Sequence, residues 1–174
     1  MPGGGKSTVG RQLARQLNLP FVDSDTEVET WLGEAIRPFF DREGEEAFRN
    51  VEEQTIATIL GRQTPMVLAT GGGAVLRAGS RQRLHEQCTV IYLRSTPEEI
   101  YRRIRHDTRR PLLQVENPLQ RLQSLYAVRD PLYRRCAHFV IETGRPSVGS
   151  LVNMILMQLE LAGLVDTHRC RPSD

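Results

Sequence analysis

The string GGGKST at Gly3–Thr8 restricts the folds open to this chain more than any other stretch. It is the phosphate-gripping half of a Walker A loop, in which glycines let the backbone close around an anion and a lysine adds a point charge. Such a loop sits between a buried strand and the helix it opens, so that its N–H groups and the helix dipole face the phosphates together. The helix is legible: Val9, Leu13, Ala14 and Leu17 recur at helical spacing, and Asn18–Pro20 ends the run. The strand is not. Counted back from Gly5, Lys6 and Ser7, the first glycine of the full pattern falls just before Met1. The expectation is that Met1 is an internal methionine of a longer chain, whose upstream residues supply an apolar strand and a glycine.

Downstream, strands and helices alternate. FVDSD is a short apolar strand ending in two acids, Asp23 and Asp25, and a helix from about Thr26 to Leu32 is stopped by Gly33. A helix from about Glu45 to Leu60 ends at Gly61. MVLATGGG is an apolar strand running into Gly71, Gly72 and Gly73. After a short polar helix, CTVIYLR is the clearest buried strand, and STPEEIYRRIR opens a helix with Pro97 in its first turn and Glu99 three residues after Thr96, a capping-box spacing. His106–Pro118 has no core periodicity and is expected to be a mobile lid. A helix from about Pro118 to Cys136, the strand HFVIET and a helix from about Ser147 to Leu161 complete the pattern. Alternation of this kind predicts an α/β fold with a parallel sheet covered on both faces. Residues 1–162 are expected to form one domain, and 163–174 a disordered tail.

Composition narrows the function classes. With 174 residues and a formal net charge of +2, the chain has no excess of cations that would point to nucleic acid. The arginines between Arg102 and Arg110 are either a solvated helix face or a local anion site. Cys88, Cys136 and Cys170 lie far apart with no histidine spaced for zinc, and read as reduced thiols. No run approaches the roughly 18 apolar residues of a membrane span, and no signal-peptide pattern opens the chain, so a cytoplasmic location is expected.

Four groups of residues have chemistry to offer. Gly3, Gly4 and Gly5 allow close approach to phosphate, Lys6 brings charge to the transferring group, and the Ser7 hydroxyl can reach a magnesium ion. Asp23 and Asp25 follow a strand at i and i+2, which directs both toward the end of the sheet where α/β folds bind ligands. One can hold magnesium through water and the other accept a proton from a hydroxyl, although two acids after a strand also serve as turns and helix caps. Gly71–Gly73 weaken a strand end, a cost tolerated where a ligand approaches the backbone, or else a flexible turn. Arg49 and Arg129, if brought together, can clamp a carboxylate with bidentate bonds; the sequence does not say whether they meet.

In order, GGGKST, DSD, GEEAFR, ATGGG, RRPLL and RDPLY resemble the signature series of shikimate kinases, from Gly3 to about Leu161. The resemblance implies a three-layer P-loop kinase fold of the nucleoside-monophosphate-kinase type, with a parallel sheet in the order 2-3-1-4-5 whose central first strand is missing from this chain. It implies phosphorylation of the 3-hydroxyl of shikimate by ATP with magnesium, on the route to chorismate, by a monomer. Carried over residue by residue, Asp25 binds the reacting hydroxyl and acts as base, while Asp23 and Ser7 serve magnesium. Arg49 and Arg129 grip the shikimate carboxylate, Gly71, Gly72 and Gly73 line the same pocket, and Phe40, Phe48 and Glu52 shape or brace it. Gly3, Gly4, Gly5, Lys6, Ser7 and Thr8 hold the nucleotide phosphates, Arg110 reaches from the lid, and Arg103 and Pro146 flank the adenine. Two alternatives remain: a related small-molecule kinase of the gluconate kinase type, and a nucleotide-binding protein made inactive by loss of the first strand.

Overall fold

The computed structural model describes residues 5–105, 115–144 and 146–166. Its elements run α1 (Lys6–Leu17), β1 (Phe21–Asp23), α2 (Ser24–Leu32), α3 (Ile36–Gly61), β2 (Val67–Ala69), α4 (Ala78–Gln87), β3 (Ile91–Arg94), α5 (Pro97–Ile104), α6 (Pro118–Cys136), β4 (Phe139–Glu142) and α7 (Val148–Leu161). Gly3, Gly4, Cys170 and Arg110, with residues 106–114 of the expected lid and 167–174 of the expected tail, lie outside the described residues.

Local signals explain most of these bounds. α1 stops at Asn18, whose left-handed backbone (φ 52°) is one that asparagine tolerates. α5 starts with the expected capping box: the Glu99 N–H donates to Thr96 Oγ1 at 3.3 Å, and the Thr96 N–H donates to Glu99 Oε2 at 2.9 Å. A helix does start near Glu45 as expected, but α3 as a whole begins earlier. The chain is already helical from Ile36, because Pro38 falls in the first turn, where a missing N–H leaves no bond unmade. Gly44, whose φ of 85° lies outside the helical range, makes a kink that divides this stretch into two helices, the second running from Glu45.

The strands form two parallel pairs. β1 pairs with β2 (Phe21 with Val67, Asp23 with Ala69), and β3 pairs with β4 (Ile91 with Phe139, Arg94 with Glu142). Successive side chains point to opposite faces. Val67, Ile91 and Leu93 join a core with Val9 and Leu13 of α1 and Ile155 and Leu159 of α7. Leu68 and Tyr92 join one with Ile56, Leu84, Ile100 and Leu122 on the other side. A third cluster, Val28, Phe48 and Val51, fastens α2 to α3. These are the three layers of the α/β fold.

Among the described residues β2 and β3 are each paired on one side only. Between them lies a cavity of about 620 Å³, lined by both strands, by Leu13 and Ile155 of one helix layer and by Leu84 and Tyr133 of the other. In the order 2-3-1-4-5, β1 and β2 take places 2 and 3, β3 and β4 take places 4 and 5, and the cavity takes place 1. Its walls are apolar on both faces, and the strand edges beside it carry backbone groups that cost about 1–3 kcal/mol each when buried unpaired. Fusing a five-residue run of valine and isoleucine, followed by a glycine, ahead of the chain is therefore expected to raise the thermal midpoint by about 5 °C or more. Differential scanning calorimetry reads this directly, and an unchanged midpoint would mean that the cavity does not seat a strand.

Candidate active site

Because Asp23 pairs with Ala69, the acids after β1 and the glycines after β2 leave the sheet side by side. Ser24, fully buried, ties them together: its Oγ accepts the Gly71 N–H at 3.0 Å. The glycines are needed for what leans on them. A methyl group on Gly71 would lie 2.6 Å from Asp25 Oδ1 and 2.9 Å from Glu52 Oε1, and one on Gly73 would lie 2.0 Å from Arg49 Nη1. Two carboxylates and a guanidinium thus press against bare backbone, a contact that a side chain would forbid.

At the other side of Asp25 stands the start of α1. Gly5 precedes it in the left-handed conformation (φ 74°), and among the described residues no side chain caps this helix start, whose dipole favours an anion. The Ser7 hydroxyl donates to Asp23 Oδ2 at 2.8 Å, while Asp23 Oδ1 accepts the Asp25 N–H at 3.0 Å. Asp23 therefore caps α2 and joins it to α1. Lys6 lies close enough to Asp25 to favour its ionised form. Thr8 is exposed on the first turn of α1.

Asp25 opens to solvent, yet protein crowds its remaining sides. That burial, followed by the charges of Asp23 and Glu29, raises its carboxyl above the ordinary aspartate value, against the opposing pull of Lys6 and Arg49. Glu52, only 3% exposed, is also raised, first by burial and further by Asp25, although Arg49 and Arg129 both favour its charge. Arg49 Nη1 donates to Glu52 Oε2 at 2.6 Å, and the guanidinium stands 5.1 Å from the centroid of the Phe48 ring. Phe48 packs on Phe40 with centroids 5.6 Å apart.

Arg129, half-buried on α6, acts electrostatically on both Glu52 and Tyr133. Arg49 and Arg129 thus both act on Glu52, Arg49 through a direct bond and Arg129 through its charge alone. Tyr133 is raised by burial against Arg129, and its hydroxyl donates to the Gly72 carbonyl.

Arg103 stands at a different corner. Arg103 Nη1 donates to Ser95 Oγ at 3.2 Å and Nη2 donates to the Thr143 carbonyl, joining α5 to the residues that follow β3 and β4. Pro146 precedes Ser147, the cap of α7. This corner is again at the C-terminal ends of parallel strands, where open α/β sheets bind ligands.

Two site residues escape the sequence reading. Ser24 is the middle letter of DSD and Tyr133 the last of RDPLY, so both stood inside quoted motifs. What hid them is that each acts through a bond to the glycine turn, at sequence separations of 47 and 61 residues.

A family model described as shikimate kinase matches residues 2–160. The shikimate kinase of Paracidovorax citrulli is 59% identical over 166 residues, covering 94% of this chain and 91% of that protein. That of Ralstonia nicotianae is 58% identical over 163 residues, covering 94% and 85%. Among solved structures, shikimate kinase from Acinetobacter baumannii in complex with shikimate superposes with a TM-score of 0.85 at 44% identity, covering 94% of this chain and 90% of that one. Shikimate kinase from Aquifex aeolicus gives 0.81 at 29% identity, covering 94% and 95%.

Proposed function

The chain belongs to the shikimate kinase family, and from that premise we propose how its residues divide the work. The enzyme transfers the γ-phosphoryl group of ATP to the 3-hydroxyl of shikimate, giving shikimate 3-phosphate and ADP on the route to chorismate and the aromatic amino acids. Arg49, bonded to Glu52 beside Asp25 and the glycine turn, with the Arg129 charge acting on the same Glu52, is the observation that carries the assignment. A guanidinium pair on this side of the pocket can grip one substrate carboxylate with charge-assisted bonds, Arg49 doing so while paired with both Glu52 and Glu45.

Arg49 and Arg129 hold that carboxylate, and the backbone of Gly71, Gly72 and Gly73 lines the ring. Asp25 takes the proton of the 3-hydroxyl as its oxygen attacks the γ-phosphorus. A base whose proton affinity is raised by its surroundings is better matched to that task than an ordinary aspartate. Gly3, Gly4, Gly5 and Thr8 surround the phosphates, Lys6 neutralises charge as it moves toward the leaving oxygen, and Arg110 joins it from the lid over about 106–118. Lid closure keeps water from competing with shikimate as acceptor. Arg103 and Pro146 flank the adenine.

Ser7 and Asp23 offer hard oxygen donors joined at 2.8 Å, a set that fits magnesium with most of its ligands drawn from water and phosphate. Ser7 would hold the ion directly and Asp23 through water. When bound, magnesium supplies positive charge at the β- and γ-phosphates.

An ADP-release assay run in parallel on shikimate, gluconate and nucleoside monophosphates tests the activity. Turnover confined to shikimate is expected. Turnover with another acceptor and none with shikimate would replace this reading with that of a related small-molecule kinase.

A further inference from the structure

We propose that Asp130 is a positioning residue for the shikimate pocket: held by Tyr92 of β3, it fixes the rotation of α6 at which Arg129 and Tyr133 face the glycine turn. The proposal rests on Arg129 as a carboxylate ligand.

Asp130 is 9% exposed and accepts three bonds. The Tyr92 hydroxyl donates to its Oδ1 at 2.9 Å, Arg94 Nε donates to the same oxygen at 3.3 Å, and Arg134 Nε donates to Oδ2 at 2.8 Å. Arg94 also donates to Glu142 at 2.8 Å, which carries the connection from α6 through β3 to β4. Burial by itself would raise the Asp130 carboxyl, but the bonds from Arg134, Tyr92 and Arg94 leave it below the ordinary aspartate value. It therefore stays an ionised acceptor for all three donors.

The anchor falls where α6 most needs one. Pro131 lies inside the helix, where it has no N–H to give to the preceding turn and its ring crowds that turn's carbonyl. The internal bond to the Ala127 carbonyl is therefore absent in the turn that holds Arg129, and the bonds from Asp130 to the sheet add a constraint there. Neighbouring residues on a helix point about 100° apart, so fastening Asp130 to β3 sets the direction of Arg129. Tyr133, four residues after Arg129, stands on the same face. Tyr92 supports it as well: the two rings pack with centroids 4.8 Å apart at 33°, and the Tyr133 hydroxyl reaches Gly72. One strand residue thereby steadies both the arginine and the turn opposite it.

Tyr92→Phe keeps the ring and its packing while removing the hydroxyl, and is a gentler test than Asp130→Asn, which would set an amide against two guanidiniums. Shikimate affinity is read by calorimetry and by KM. For Tyr92→Phe both are expected to weaken about five- to tenfold, with KM for ATP changed less than about twofold and kcat falling less than KM rises. In an Arg129→Ala background the same substitution should change shikimate affinity by less than about twofold, because the residue through which it acts is gone. Asp130→Asn, if it folds, should show the same split between substrates.

Unchanged shikimate affinity with a lowered thermal midpoint, equal loss for both substrates, or an undiminished effect of Tyr92→Phe in the Arg129→Ala background would each make Asp130 a stability residue only and overturn the proposal. A parent chain that binds no shikimate would instead overturn the assignment of Arg129, and the proposal with it.

Discussion

Asp25→Asn is expected to lower kcat for shikimate by about a hundredfold or more while leaving the protein at least as stable at neutral pH. Both halves follow from the surroundings of Asp25. Its carboxyl is raised in the folded chain above the ordinary value of 3.8, mainly by burial and by Asp23. The native state therefore binds that proton more tightly than the unfolded chain does. Stability from this source is present at low pH and is lost as pH rises through the ordinary value and on through the raised one. At neutral pH the ionised Asp25 is a local burden on the fold, so an isosteric amide relieves it while removing the base. Calorimetric melting beside steady-state kinetics separates the outcomes. A midpoint that falls together with the rate would indicate unfolding rather than loss of a base, and an undiminished rate would place the base elsewhere. The same raised proton affinity predicts that kcat/KM for shikimate in the parent enzyme falls on the acid side, with a midpoint above 3.8.

Arg129→Ala is expected to weaken shikimate binding by about 2–5 kcal/mol, roughly thirtyfold to several thousandfold, with little change for ATP. Arg129 is the better of the two clamp arginines to remove. Arg49 is bonded at 2.6 Å to Glu52, and the two side chains are 11% and 3% exposed. Taking Arg49 away would leave a buried carboxylate without its hydrogen-bonded partner, a change that costs folding stability as well as binding. Arg129 acts on Glu52 from α6 without that direct bond, so its loss should be read chiefly in the substrate. Equal loss of affinity for ATP and shikimate would show that Arg129 belongs to neither pocket in particular.

The sequence foretold the helix bounds that depend on local chemistry. The capping box at Thr96–Glu99 and the stop at Asn18 are local events, so short motifs predicted both. The helix expected from about Glu45 is the part of α3 that follows the kink at Gly44; the helical stretch before it, from Ile36, was missed because RPFFDREG holds a proline and a glycine, although Pro38 falls harmlessly in a first turn. The site divides in the same way. DSD, the triple glycine and the two arginines were visible as residue types, and the family resemblance supplied their roles. The reasons why Gly71 and Gly73 must be glycine became clear only in three dimensions, where Asp25, Glu52 and Arg49 fill the space a side chain would need. Tyr92 and Asp130, 38 residues apart in sequence, share a buried bond that no periodicity announces.

The open place between β2 and β3 ties the opening motif to the rest of the molecule. Lys6, at the start of α1, lies at the rim of the same cavity that Val67–Ala69 and Ile91–Leu93 line. The segment that grips phosphate and the gap in the sheet are therefore adjacent, and stability gained in the gap is expected to steady the loop.

The most direct measurement of the central claim is the product formed from shikimate and magnesium ATP, resolved by phosphorus and proton magnetic resonance. A single product is expected, with phosphate on the 3-hydroxyl and ADP released in equal amount. Phosphate on another hydroxyl, or phosphorylation of gluconate or a nucleoside monophosphate with shikimate untouched, would contradict the claim.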